Sequence, residues 1–378
     1  MLSFQSCIRC FQKYDLNQII YRCECGGLIE IKHSVFPSPL GGEGLGVRSG
    51  VWRFKDYVLP IPDSEIVSHP EGFTRVYERE SLSRWAGVDK LLFKHEGENP
   101  TGSFKDRGMT VAVTQAKRLG QKLIGCASTG NTSASLASYG AQAGLKTVIF
   151  LPEGKVAPSK IAQAIAYGAE TRMIEGDFDT AMAKVLEASH DEGLYLVNSI
   201  NPFRLEGQKT IMWELFEQLD WQVPDWIVVP GGNLGNTSAF GKAILEAYEA
   251  GWITKKPRIA VIQAERANPF YQSFLSGFED FAPMHPDTRA SAINIGNPVN
   301  FEKAKRVISD LNGRVEQATD AEIKEAKIQI DHSGIGCEPS SAATLAGLQK
   351  LVAQKFVRPD EVVACVLTGN VLKDPVMS

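Results

Sequence analysis

The segment ENPTGSFKDRG, residues 98–108, contains a lysine that is placed to act as a nucleophile. Lys105 follows a Gly-Ser turn at the start of a predicted helix, where the positive field of the helix N-terminus favours the neutral amine. A neutral lysine amine can form a Schiff base with an aldehyde. Because an isolated lysine is usually a solvated surface residue, this interpretation depends on what the rest of the chain supplies.

Two further segments offer anion-binding groups at predicted helix starts. STGNTSAS, residues 128–135, places hydroxyl and amide side chains after a buried strand, which suits a carboxylate or a phosphate. PGGNLGNTSA, residues 230–239, is a glycine-rich turn between the strand WIVVP and a helix, and it can direct several backbone N–H groups at a phosphate. The alternatives are a cluster of ordinary N-cap residues and a tight turn between strand and helix.

A fourth segment, LTGNVLKD at residues 367–374, follows the last predicted strand. It can present the hydroxyl of Thr368 to a ligand, and the alternative is a polar strand end. A lysine, an anion-binding helix start, a phosphate loop and a terminal threonine together fit a phosphorylated aldehyde cofactor. The sequence has no Walker A motif, no Ser-His-Asp signature and no metal-ligand spacing such as H-E-x-x-H.

These segments lie in a regular alternation of short apolar runs and helical stretches, from residue 91 to residue 370. Strands that are apolar on both faces and separated by helices are typical of parallel sheets covered on both sides. The predicted class is α/β, with two open parallel-type sheet domains that carry helices on both faces and a small N-terminal cysteine-rich β unit. Ligands of such sheets bind beyond the carboxyl ends of the strands, where the four segments fall.

The predicted domain organisation has three parts. Residues 1–35 form a cysteine-rich head, and residues 36–50 form a linker rich in glycine and proline. Residues 51–378 form the catalytic region, built of two α/β lobes, with a smaller lobe at about 120–205 inserted in the larger one.

Composition limits the expected partners and location. The chain has 378 residues, 43% of them hydrophobic, and a net charge of −4, which gives no reason to expect nucleic acid or an anionic membrane as a partner. No apolar run approaches the roughly 20 residues of a membrane span, and residues 1–10 lack the apolar core of a secretory signal. We therefore expect a cytoplasmic protein that acts on a small molecule.

Four of the seven cysteines lie in the head, as a C-x2-C pair followed by a C-x-C pair: Cys7, Cys10, Cys23 and Cys25. Four thiolates can hold a structural zinc ion. Because C-x-C is one residue tighter than the usual knuckle, four reduced cysteines in a small β unit remain the alternative. The other three cysteines lie in apolar runs and are interpreted as small buried hydrophobic residues.

The four segments, in this order, resemble the β-family (fold type II) of pyridoxal-phosphate enzymes, and NPTGSFKDRG, GCEPSSAATLAG and LTGNVLKDP are most similar to the threonine synthases. The resemblance covers roughly residues 91–375 and the head. It implies that Lys105 holds pyridoxal 5'-phosphate as a Schiff base, with Phe104 beside the ring. It also implies the remaining cofactor ligands: Asn131 at the ring hydroxyl, Gly232, Asn233, Leu234, Gly235 and Asn236 at the phosphate, and Thr368 at the pyridine nitrogen.

The segment NSINPFRLEGQKT, residues 198–210, matches the region where that family binds the phosphate of its substrate. The resemblance implies O-phospho-L-homoserine as substrate, L-threonine and phosphate as products, and a homodimer. The candidate substrate ligands are Ser128, Thr132, Asn198, Ser199 and Arg204. The planar fork of an arginine suits a phosphate dianion, and the alternative for Arg204 is a surface residue at a helix start.

Two departures from the family pattern bear on substrate preference. Asn370-Val371 stands where a His-Gly pair is usual, and Cys337 stands where an aliphatic residue is common. The alternative functions are another fold-type II lyase, such as a serine/threonine dehydratase or a cysteine synthase, and a non-catalytic relative that binds the cofactor or an amino acid. The motifs SFKDRG and LKDP favour the threonine synthase family over these alternatives.

Overall fold

A computed structural model describes residues 3–34, 50–153, 158–176 and 178–375. Apart from Gly50, the predicted linker at residues 36–50 lies outside the described residues. The strands are β1 (Ser3–Cys7), β2 (Lys13–Tyr14), β3 (Ile29–His33), β4 (Val76–Glu78), β5 (Lys90–His95), β6 (Leu123–Ala127), β7 (Lys146–Pro152), β8 (Glu170–Ile174), β9 (Tyr195–Leu196), β10 (Trp226–Pro230), β11 (Arg258–Ala264), β12 (Arg314–Ala318) and β13 (Val362–Leu367). The α-helices are α1 (Lys55–Val58), α2 (Glu80–Ala86), α3 (Lys105–Arg118), α4 (Asn131–Ala143), α5 (Pro158–Ala166), α6 (Phe178–Asp191), α7 (Pro202–Gln218), α8 (Gly235–Glu249), α9 (Pro269–Leu275), α10 (Phe301–Asp310), α11 (Asp320–His332) and α12 (Pro339–Ala353).

The described strands form three sheets. The head is a three-stranded antiparallel sheet in the order β2-β1-β3. A four-stranded sheet, β8-β7-β6-β9, is entirely parallel. A six-stranded sheet, β12-β11-β10-β13-β5-β4, is parallel except for the antiparallel edge strand β4. The predicted α/β class with two parallel-type sheets and a cysteine-rich β unit is therefore confirmed.

The strands form where the sequence is apolar on both faces. All five residues of β10, WIVVP, are buried, and only the first residue of β7, KTVIFLP, is exposed. Such runs can be accommodated only in sheets whose two faces are covered. Glycine ends α4 as its sequence predicts, since Gly144 takes the left-handed conformation at φ 69° that other residues adopt at a cost.

The described residues divide into two compact units. The first contains residues 3–34, 50–72 and 105–210, with the head sheet and the four-stranded sheet; the second contains residues 73–104 and 211–375, with the six-stranded sheet. The three cysteines outside the head are fully buried, as expected: Cys126, Cys337 and Cys365. Of the described helices, none is long and apolar enough to cross a membrane.

Candidate active site

Lys105 is the first residue of α3 and is half-buried. Next to it, the buried carboxylate of Asp106 accepts a hydrogen bond from Ser135 Oγ on α4 at 2.5 Å, which fixes the start of α3 within the first unit. In the second unit, the N–H of Phe104 donates to the carbonyl oxygen of Thr368 at 3.0 Å. The chain therefore enters α3 from a turn that is held by backbone hydrogen bonding.

The segment after β6 carries the predicted ligands Ser128, Asn131 and Thr132, all half-buried. Ser128 Oγ accepts the N–H of Gly130 at 3.3 Å and so shapes the turn, while Asn131 and Thr132 are the first two residues of α4. The N-cap of α4 is Gly130, so no N-cap side chain competes with an anion for the first N–H groups of the helix. This geometry favours anion binding over the N-cap alternative.

Arg204, the third residue of α7, is 2% exposed. Its Nη1 donates to the carbonyl oxygen of Val197 at 3.3 Å, and its Nε is buried without a hydrogen-bond partner. No carboxylate among the described residues forms an ion pair with it, and burial lowers the pKa of Arg204 to about 10. A buried guanidinium without a counter-ion is costly, so the site suits an anionic ligand.

Asn198 and Ser199 follow β9, next to the end of β6. The Asn198 amide makes two hydrogen bonds to the backbone of Ala127: Oδ1 accepts from its N–H and Nδ2 donates to its carbonyl oxygen, each at 3.0 Å. The Asn198 side chain therefore links the residues that follow β9 to the end of β6. One N–H of its Nδ2 and one lone pair of its Oδ1 remain for a ligand. Ser199 is half-buried at the same end of the sheet.

The glycine-rich turn of the second unit joins β10 to α8. A Cβ on Gly232 would lie 3.0 Å from the carbonyl oxygen of Ala292, so a side chain here would require the backbone at Ala292 to shift by a few tenths of an ångström. Leu234 is the N-cap of α8, in the left-handed conformation at φ 60°, and its side chain makes no capping bond. Asn233 is held from outside the turn, since its Oδ1 accepts the N–H of Val299 at 3.3 Å.

After this turn, in the first residues of α8, the side-chain oxygens of Asn236 and Thr237 are buried and have no hydrogen-bond partner among the described residues. Of these two atoms only the Thr237 hydroxyl can donate to a phosphate oxygen, because the Asn236 atom is Oδ1, an acceptor; the donor of that amide is Nδ2. Gly235, the first residue of α8, adds a backbone N–H at the helix start. The sequence prediction included Gly235 and Asn236 but missed Thr237. Its signal is the run N-T-S directly after the last glycine of the turn.

Thr368 is buried directly after β13, and its hydroxyl forms hydrogen bonds with side chains of the same unit. It donates to Glu338 Oε1 at 3.0 Å and lies 2.9 Å from Ser341 Oγ. Ser341 Oγ also accepts the N–H groups of Thr368 and Gly369, at 2.8 and 3.1 Å. Because Ser341 Oγ already accepts two backbone N–H groups, its own proton is directed at the Thr368 oxygen, while the Thr368 proton goes to Glu338. Sequence reasoning missed Glu338 and Ser341, although both lie in the segment GCEPSSAATLAG.

The structure thus assigns the predicted residues to two sets. The first unit holds its set at the ends of adjacent strands β6 and β9 and at the starts of α3, α4 and α7: Lys105, Ser128, Asn131, Thr132, Asn198, Ser199 and Arg204. The second unit holds the phosphate-type turn, Phe104 and Thr368. Both sets follow strand ends or open helices, as expected for ligand-binding residues of parallel sheets.

The comparisons agree with this chemistry. The model of a family described as "Pyridoxal-phosphate dependent enzyme" matches residues 67–369. Threonine synthase of Methanocaldococcus jannaschii is 49% identical over 98% of this chain and 93% of its own length, and that of Methanosarcina acetivorans is 46% identical over 98% and 92%. The chain belongs to the pyridoxal-phosphate dependent enzymes and, within them, to the threonine synthase family.

Solved structures share the fold. Maize serine racemase superposes with a TM-score of 0.71 at 21% identity, covering 85% of this chain and 94% of its own. The processed threonine deaminase isoform 2 of Solanum lycopersicum gives 0.69 at 21% identity, with coverages of 89% and 92%. At this identity the likeness concerns the fold alone, and the predicted fold type II is confirmed.

The buried Thr237 hydroxyl, which has no hydrogen-bond partner among the described residues, predicts a contribution to cofactor affinity. If it donates to the cofactor phosphate, Thr237→Val should raise the dissociation constant of pyridoxal phosphate about tenfold or more, because charge-assisted hydrogen bonds are strong. The constant is measured by equilibrium dialysis, with Thr171→Val on β8 as the control. An unchanged constant together with a higher melting temperature would show that the variant only removed an unsatisfied buried hydroxyl.

Proposed function

We propose that the protein converts O-phospho-L-homoserine and water to L-threonine and phosphate. The observation that carries the proposal is the buried guanidinium of Arg204, which lacks a carboxylate partner among the described residues and suits a phosphate dianion. The names of the relatives, threonine synthases at 46–49% identity, support threonine as the product.

The residues present fit pyridoxal 5'-phosphate. Helix α3 begins at Lys105. Helix α8 begins directly after a glycine-rich turn, and two of its side-chain oxygens, Asn236 Oδ1 and Thr237 Oγ1, are buried without a hydrogen-bond partner among the described residues. When bound, this cofactor supplies an aldehyde for amines and a ring that withdraws electrons from the α-carbon of an amino acid. We propose that Lys105 and Phe104 contact it, with Asn131 at its ring hydroxyl and Thr368 at its ring nitrogen. The phosphate is assigned to the turn 232–236.

The side chains of the protein bind and orient the substrate, and Lys105 transfers protons. Arg204, with Ser199, Thr132 and Ser128, holds the phosphate of the substrate, and Asn198 keeps the two strand ends in register. Lys105, as a general base, removes the proton from Cα. A second proton leaves Cβ as the phosphate departs from Cγ with its bridging oxygen. Water adds its hydroxyl at Cβ and gives its remaining proton to the departing phosphate. Protons returned to Cγ, which becomes the methyl group, and to Cα complete L-threonine.

A product balance tests this proposal. The holoenzyme is incubated with O-phospho-L-homoserine, and phosphate, L-threonine and 2-oxobutyrate are measured together. Equal amounts of phosphate and L-threonine are expected. Phosphate with 2-oxobutyrate would mean elimination without water addition at Cβ. No turnover of this substrate, with turnover of serine, threonine or O-acetylserine, would replace the proposal by the dehydratase or cysteine synthase alternative.

We further propose that the head binds one zinc ion through Cys7, Cys10, Cys23 and Cys25. All four sulfur atoms lie within 4.8 Å of one another, and the pairs Cys7–Cys25, Cys10–Cys23 and Cys10–Cys25 are 3.4–3.5 Å apart. Tetrahedral Zn–S bonds of about 2.3 Å require sulfur–sulfur distances of about 3.8 Å, so little movement is needed. Two sulfur atoms already accept hydrogen bonds, Cys7 from the N–H of Arg9 at 3.3 Å and Cys23 from the hydroxyl of Tyr14 at 3.0 Å.

Removal of the metal should destabilise the head. The purified chain is expected to contain one zinc per chain, and a strong chelator should lower the melting temperature by several degrees, because ligand binding energy is folding energy in such small units. Cys25→Ser should lower the melting temperature and the zinc content without a chelator. The control Cys126→Ser, whose cysteine lies outside the head, should bind zinc as the wild type does. A metal-free chain with an unchanged melting temperature would favour four reduced cysteines.

The assembly and location complete the proposal. We propose a cytoplasmic homodimer that acts on a small molecule, without nucleic acid or membrane partners. The net charge of −4 supports the absence of nucleic acid and anionic membrane partners, and the free cysteines support a reducing compartment such as the cytoplasm. The homodimer rests on the family resemblance alone. Light scattering of the purified chain decides the oligomeric state, and a monomeric mass at working concentration would contradict it.

A further inference from the structure

We infer that the cysteine head is a positioning element for the phosphate-binding segment of the first unit, acting through Tyr21 and His33. This inference rests on the proposed function only in that the ligand of Arg204 is taken to be a phosphate. The head and residues 105–210 belong to the same compact unit. Two contacts from the head reach the segment on either side of Ser199 and Arg204.

The first contact is made at the edge of the four-stranded sheet. β9 is one of the two edge strands, and the N–H of Val197 turns toward β6, where it donates to the carbonyl oxygen of Gly125 at 2.8 Å. The N–H of Leu196 points the other way, and it donates to the hydroxyl oxygen of Tyr21 at 2.9 Å. Tyr21 therefore satisfies an edge N–H beside which the described residues place no strand.

The Tyr21 ring also packs edge-on against Tyr195, with ring centroids 6.2 Å apart. The head thus fixes the strand just before Asn198 and Ser199. Since the Asn198 amide is bonded to Ala127, this end of the segment is held from both sides, by the head and by β6.

The second contact is buried. His33, the last residue of β3, places Nε2 3.0 Å from Glu206 Oε2, and the same oxygen lies 2.6 Å from Lys209 Nζ. The side chains of His33, Glu206 and Lys209 are 0%, 1% and 0% exposed. Ser3 Oγ lies 2.8 Å from His33 Nδ1 and orients the ring. Buried ionic groups persist only when all partners are in place, so this contact has a fixed geometry.

Glu206 lies two residues after Arg204 on α7, so the second contact fixes the helix turn that carries the guanidinium. The backbone of Arg204 is also packed closely, because a Cβ on Gly108 would lie 2.9 Å from the Arg204 carbonyl oxygen. A phosphate ligand needs donors held to within a fraction of an ångström. Loosening either head contact should therefore weaken phosphate binding while the proton transfer at Lys105 remains.

The test uses the holoenzyme with Tyr21→Phe, which removes one hydroxyl and keeps the ring. Its matched control is Tyr167→Phe, at an exposed tyrosine of the same unit. Hydrogen exchange of peptides covering residues 194–206 should become faster in Tyr21→Phe. The dissociation constant of inorganic phosphate and KM for O-phospho-L-homoserine should each rise about fivefold, as expected for one lost hydrogen bond, with kcat within twofold.

A second pair of variants guards against misfolding. His33→Ala should raise both constants, and His33→Gln, which keeps a donor for Glu206, should raise them less. Correctly folded variants with a wild-type phosphate constant would overturn the inference, even if their exchange is faster. Phosphate binding that weakens in an enzyme forming no threonine would uphold the inference while contradicting the proposed function.

Discussion

Replacing Lys105 by alanine is expected to abolish threonine formation, with a loss in kcat of roughly 10⁴-fold or more. The proposed role combines attachment of the cofactor with removal of the Cα proton, and general base catalysis alone contributes about 10²–10⁴-fold. Phosphate release should fall in parallel, because the phosphate leaves only after proton removal. The measurement is single-turnover kinetics with O-phospho-L-homoserine.

The control for this variant is Lys117→Ala, at an exposed residue in the last turn of the same helix. Borohydride, which makes an imine between a lysine and the cofactor aldehyde permanent, should label the Lys105 peptide in the control and leave Lys105→Ala unlabelled. Label on a different lysine of the wild type, or near-normal turnover by Lys105→Ala, would contradict the assignment.

Replacing Arg204 by methionine is expected to change activity and stability in opposite directions. The loss of a bidentate, charge-assisted contact should raise KM for O-phospho-L-homoserine about 100-fold. Stability should rise, because the buried guanidinium has no counter-ion among the described residues. Its pKa is about 10 against an ordinary 12.5, a difference worth on the order of 3 kcal/mol at neutral pH.

The sign of this effect follows from linkage. A base whose pKa is lowered on folding opposes folding fully below its folded pKa, and the penalty is lost as pH rises from about 10 toward 12.5. At pH 7 the penalty is therefore complete, and Arg204→Met removes it. Inorganic phosphate should stabilise the wild type and not the variant.

Denaturant unfolding at pH 7 measures the free energy of unfolding of the wild type and of Arg204→Met. The control is Arg84→Met, because the Arg84 side chain is 75% exposed. A less stable Arg204→Met enzyme with an unchanged KM would show that Arg204 is a structural residue whose partner is the Val197 carbonyl oxygen.

Much of the fold was predictable because it depends on local patterns. The apolar run KTVIFLP predicts a strand from sequence alone, and β7 spans all of it, Lys146–Pro152. The run LYLVNS predicts a strand over residues 194–199. The observed strand β9 is only Tyr195–Leu196, because the Asn198 side chain, rather than its backbone, bonds to the neighbouring strand end. β12, α10 and α11 were missed, although Thr319 and Glu322 form a capping box that marks the start of α11.

The candidate site was predictable in its types of residue but not in their partners. Lys105 and the turn 232–236 are recognisable from sequence because each occupies a strand–turn–helix context. The partnership of Thr368 with Glu338, and that of Tyr21 with Leu196, joins residues that are distant in sequence. No local pattern reports such pairs. That no carboxylate of the described residues pairs with Arg204 is likewise a property of the folded chain.

The most direct test of the proposed reaction is a single turnover assay in water enriched in oxygen-18, followed by mass spectrometry of both products. If the phosphate leaves Cγ with its bridging oxygen and water adds at Cβ, L-threonine gains one heavy oxygen and the released phosphate gains none. A heavy oxygen in the phosphate, with homoserine as the second product, would mean hydrolysis at phosphorus and would contradict the proposed reaction at this site.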